Sequence, residues 1–94
     1  MSIQINKTTL TTISKELNAH FEFEESYSGY DSYTAEIKNP LPKLFKEVKL
    51  QIIWNNINAT GEVCYQYTHP NGSTNGYNIG FIRNGKFEHT KSIN

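Results

Sequence analysis

The chain has 94 residues, 36% of them hydrophobic and 19% charged, which suits one hydrophobic core and is too short for two. Nine Lys and Arg balance nine Asp and Glu, so the overall attraction behind generic binding to nucleic acid or an anionic membrane is missing, and any electrostatic role must be local. A lone Cys64 excludes both an intramolecular disulfide and a cysteine-based zinc knuckle, and packing as a small apolar residue accounts for it.

Six Tyr, five Phe and one Trp supply enough large apolar area for a folded core. The opening MSIQINKTTLTT has no basic stretch followed by an apolar one, and no run approaches the roughly 18 apolar residues of a membrane span. A cytoplasmic protein without membrane contact is expected. The Asn-x-Ser/Thr triplets at Asn6, Asn58 and Asn71 are read as chance in a chain rich in Asn and Thr.

Ile3 and Ile5 alternate with polar neighbours and suggest a short edge strand. Leu10, Ile13 and Leu17 then recur at spacings of three and four, continuing to Phe21, which predicts one amphipathic helix over about residues 8 to 19 with Asn6 or Thr8 as N-cap. From Phe21 the period becomes two. Phe21 and Phe23, then Tyr33, Ala35 and Ile37, alternate with polar residues on either side of a Ser-Gly break, the pattern of a hairpin. Pro40 and Pro42 end that ladder, and one helical turn is expected at Lys43 to Lys46.

Val48, Leu50, Ile52 and Trp54 share one face of the strongest strand. Val63, Tyr65 and Tyr67 follow, then Tyr77, Ile79 and Phe81, then Phe87 and His89, joined by turns that include Asn71-Gly72, Asn75-Gly76 and Asn84-Gly85. The opposite face is expected to carry Lys49, Gln51, Ile53, Cys64, Gln66, Asn78 and Ile82. The fold class is therefore α+β: a single domain over residues 1–94, with one N-terminal helix packed on an antiparallel, meander-like sheet of about four to six strands.

Catalytic patterns are absent. His20, His69 and His89 show no metal-ligand spacing, no nucleophile stands beside a recognisable base, and there is no phosphate-binding glycine loop, so neither a metal, a cofactor nor an enzymatic activity is expected. The unusual stretch is Glu22 to Glu36, EFEESYSGYDSYTAE, with five acidic residues and no basic one. Tyrosine brings large contact area at low entropic cost, and carboxylates steer a basic partner. Glu22, Glu24, Glu25, Tyr27, Tyr30, Asp31 and Tyr33 are accordingly the candidate partner-binding residues.

The leading expectation is a non-enzymatic, inhibitor-like binding protein of the immunity or anti-defence type, borne by a phage or mobile element, whose partner is a larger protein or ribonucleoprotein with a basic surface. One alternative is a small nucleic-acid-binding domain that uses Lys43, Lys46 and Lys49 with neighbouring aromatics. Another is a small-molecule or minor enzymatic site in a pocket of Trp54, Tyr65, Tyr67, Tyr77 and Phe81. Ile53, Cys64 and Ile82, or an unpaired edge strand, would offer a homodimer contact.

Overall fold

The structure, a computed structural model, describes residues 2–90. Its order is α1 (Lys7–Leu17), β1 (Glu22–Tyr27), β2 (Tyr30–Glu36), β3 (Glu47–Asn55), β4 (Thr60–Thr68), β5 (Thr74–Arg83) and β6 (Lys86–His89). The strands form one antiparallel six-stranded meander in chain order, as the alternation predicts.

Asn6 caps α1: its side-chain oxygen accepts from the Thr8 amide at 2.8 Å. Thr11, Thr12 and Ser14 donate their hydroxyls back to the carbonyls of Lys7, Thr8 and Leu10, so their polar groups are satisfied within the helix. The helix ends short of the expected residue 19 because Asn18 adopts left-handed geometry (φ 50°) and the Ala19 amide turns back to the Ser14 carbonyl. A helix of 11 residues this rich in threonine depends on packing, and Ile13 supplies it with no exposed surface.

Ile3 and Ile5 do not form the expected strand. The Ile3 amide donates to the Asn56 carbonyl, and the Trp54 indole donates to the Ile3 carbonyl at 2.7 Å. These two bonds anchor the segment without a ladder, and Ile5 is buried beside it. The turn after Pro40 also falls slightly early, with the amides of Leu44 and Phe45 both donating to the Leu41 carbonyl.

One face of the sheet, under α1, builds the core from Ala35, Leu50, Ile52, Trp54, Val63 and Ile82, joined by Ile5, Ile13 and Phe21. Ile82 belongs here and not on the opposite face where simple alternation places it. A bulge in the β4–β5 ladder gives β5 an extra residue at Ile79, since Val63 pairs with Gly80 while Cys64 pairs with Asn78. One inserted residue reverses the side-chain phase beyond it, so Ile82 turns into the core and Phe81 turns out to the other face.

Gly80 sits at this reversal, and the Phe87 ring lies across it. A Cβ at Gly80 would collide with that ring and approach the Glu88 carbonyl oxygen to 2.6 Å. The β5–β6 turn uses Asn84 and Gly85 at φ 52° and 72°, the paired positive values of a tight hairpin. Thr9 of the helix donates to the Gly85 carbonyl at 2.8 Å, and Glu16 meets His89 at 3.3 Å, so α1 is tied to the last hairpin.

Candidate functional site

The second face of the sheet has no covering layer in the described chain. Directly paired residues of an antiparallel ladder share a face, so the registers identify its side chains. One full row runs Glu25, Ser32, Ile53, Glu62, Phe81, Glu88 from β1 to β6; beside it Tyr27, Tyr30, Asn55 and Thr60 run from β1 to β4, and Arg83 pairs with Lys86 on β5 and β6.

Glu22, Glu24, Glu25, Glu36, Glu47, Glu62 and Glu88 lie on this face: seven of the nine carboxylates in the chain. Within the strands, Lys49, Arg83 and Lys86 stand against them, a surplus of four negative charges among the strand residues of this face. The neutral chain is therefore electrically two-sided, with the remaining described cations on α1 and in the β2–β3 connection.

Several of these side chains are held in place. Ser32, fully buried at the base of the face, donates its hydroxyl to Glu24 at 2.9 Å and accepts from the Gln51 amide at 3.0 Å. Glu24 occupies the irregular step of the β1–β2 ladder and is thereby fixed over β2. Glu22 meets His20 at 3.7 Å, and Glu47 meets Lys49 at 4.0 Å. Partial desolvation, followed by the charges of Glu25 and Glu24, pushes the Tyr27 phenol above the ordinary tyrosine range. At neutral pH that hydroxyl is a hydrogen-bond donor amid carboxylates. Cys64 lies half-buried on the same face, and burial, then Glu62, raises its thiol above the usual range.

Five of the seven residues expected from the sequence are gathered here: Glu22, Glu24, Glu25, Tyr27 and Tyr30. Asp31 and Tyr33 lie on the helix side of the sheet, opposite Trp54 and Ile52. Asp31 is only 7% exposed and accepts from the Ser26 hydroxyl at 2.6 Å and the Asn56 amide at 3.1 Å, bracing β1, β2 and the β3–β4 turn. Tyr33 stands edge-on to Phe23 with ring centroids 5.6 Å apart, and burial followed by the Asp31 charge raises its phenol too. Glu36, Glu47, Ile53, Glu62, Phe81 and Glu88 were missed as members of the site. Their common face follows from pairing register, and for Phe81 from the bulge.

The other expected groupings are dispersed. Lys49 lies on β3 beside Glu47, Lys43 and Lys46 fall in the β2–β3 connection, and Phe45 packs on Tyr67 and His69 with ring centroids 4.7 and 5.4 Å apart. Trp54, Tyr65, Tyr67, Tyr77 and Phe81 line no common pocket: Trp54 is buried, Tyr65 and Tyr67 stack, Tyr77 is 62% exposed and Phe81 is on the opposite face. His20, His69 and His89 contact Glu22, Asn75 and Glu16 respectively. Among the described residues no helix is long and apolar enough to cross a membrane, and no three His, Cys, Asp or Glu side chains converge as a metal site. Comparison with known protein families, with curated proteins and with solved structures finds no match.

Proposed function

We propose that this protein is a non-enzymatic binding protein that acts by laying its uncovered, acidic sheet face on a basic surface of a larger protein or ribonucleoprotein. The inhibitor classes, immunity or anti-defence, are the roles in which a small domain does its work by occupying such a surface. The observation that carries the reading is the concentration of seven carboxylates on one face of a neutral chain, with Tyr27 and Tyr30 exposed among them. Such a surplus accelerates encounter with a positive surface and repels phosphate backbones. It also disfavours a face-to-face dimer, because a two-fold axis would oppose the same negative surface to itself.

The test is capture of a partner from a host lysate with Glu22→Lys/Glu25→Lys, two exposed positions, leaving the Ser32-bonded Glu24 intact. A stoichiometric protein retained by the parent chain and lost by the variant is expected, with the association rate down by about tenfold or more and falling further with salt. Lys7→Glu/Lys15→Glu on the helix side should leave binding in place. Equal capture by the parent chain and the β1 variant would refute the assignment of the acidic face.

A further inference from the structure

On the uncovered face, a groove of about 410 Å³ opens between Tyr30 at one end and Phe81 at the other, with Ile53 on its floor and Glu62 and Arg83 on its walls. It differs chemically from the β1 edge. The edge offers carboxylates to solvent, whereas the groove sets a carboxylate between aromatic and aliphatic surfaces. Glu25 and Glu88 continue the row on either side, while Arg83 pairs with Lys86 at the groove's border, so the groove joins aromatic and aliphatic surface to one carboxylate, Glu62, and one cation, Arg83.

The groove already holds one group of a definite kind. The Arg83 guanidinium lies over the Phe81 ring, 5.1 Å from its centroid. A planar, weakly hydrated cation suits this place: it stacks on an aromatic face, its methylene stem covers an aliphatic floor, and its fork of donors meets a carboxylate. A lysine ammonium is compact and strongly hydrated, and matches the Coulombic part of this environment but not the stacking.

We infer that the groove between Tyr30, Ile53 and Phe81 receives an arginine side chain from a protein partner, with Glu62 as its counter-charge and Arg83 as the internal group it displaces or shares the ring with. The inference rests on the acidic-face reading and adds to it the chemical identity of the anchoring residue. Anchors of this type sit at interface centres surrounded by polar rims, which is how Ile53 and Phe81 lie among Glu25, Glu62 and Glu88.

The experiment is an NMR titration of the isotope-labelled full chain with octa-arginine and, separately, octa-lysine, following backbone amides. Octa-arginine should shift Ile53, Glu62 and Phe81 saturably, and bind several-fold tighter than octa-lysine. Phe81→Ala and Glu62→Gln should each weaken it by about three- to tenfold, the range expected for one stacked or charge-assisted contact. Arg83→Ala should tighten it, a gain that a folding defect cannot imitate. Equal affinity for both peptides, or shifts confined to Glu22–Glu25 and indifferent to Phe81→Ala, would overturn the arginine groove while leaving the acidic face as a docking surface. Absence of shifts at the groove with either peptide also overturns it, and the β1 charge-reversal capture then judges the acidic-face reading independently.

Discussion

Alanine at Gly80 adds a single methyl group where the β5–β6 ladder has no room for it. The new Cβ would fall into the Phe87 ring and within 2.6 Å of the Glu88 carbonyl oxygen, so both a side chain and a backbone must move. Overpacking of this kind costs about 1–3 kcal/mol, and a domain of this size loses roughly 4–8 °C in Tm per kcal/mol. Gly80→Ala should therefore melt lower by several degrees to about 20 °C, measured by calorimetry or circular dichroism. The ring and the carbonyl are separable by a double-mutant cycle with Phe87→Ala. Where the ring is the main obstacle, the double variant loses less than the sum of the singles by about 1 kcal/mol. A Gly80→Ala protein melting within a degree or two of the parent would refute the close approach and, with it, the β5 phase that places Ile82 in the core and Phe81 outside.

Asp31→Ala should cost about 1–3 kcal/mol in chemical denaturation, because the Asn56 amide and Ser26 hydroxyl lose their shared acceptor, whereas Glu25→Gln on the open face should stay within about 0.5 kcal/mol of the parent. Titration of tyrosinate absorbance should reveal late-ionising phenols, and Glu24→Gln/Glu25→Gln should bring Tyr27 back toward ordinary tyrosine behaviour. Because the Tyr27 and Tyr33 values are raised in the folded state, the native chain holds protons that the unfolded chain releases. Their contribution to stability is fully present below the ordinary tyrosine range and is lost as pH rises through the raised values, which alkaline melting curves of Tyr27→Phe and Tyr33→Phe will register as a shallower decline. Cys64 should react slowly with a disulfide reagent at neutral pH, and Glu62→Gln should speed it, since removing that charge favours the thiolate.

Periodicity made most of the fold legible. Leu10, Ile13 and Leu17 announce the helix, and the alternations at Val48–Trp54 and Val63–Tyr67 announce central strands whose inward members are those expected. The same parity carried a warning about Asp31: it stands in phase with Tyr33 and Ala35, on the inward side of β2, so its burial was readable from the strand that contains it. The bulge at Ile79 was not readable in this way, because an inserted residue leaves the local composition unchanged and reveals itself only in the pairing with β4. The assembly of the acidic face was half-visible for a related reason. Glu22, Glu24 and Glu25 are near neighbours in sequence, whereas Glu36, Glu47, Glu62 and Glu88 join them only through five successive registers.

The tie between α1 and β6 has a consequence for synthesis. In a growing chain the helix emerges before all six strands, but the strand it contacts most closely, the Gly85 carbonyl that Thr9 reaches and the His89 ring that meets Glu16 emerge after the other five strands. Each hairpin between them closes from sequence neighbours, so the sheet can zip in order while its apolar side waits uncovered for a helix made at the outset. Completion of this sheet is therefore a circular event, in which the helix that precedes the strands locks onto the last of the six. Loss of β6 alone, four residues from Lys86 to His89, would deprive the helix of its last-strand anchorage.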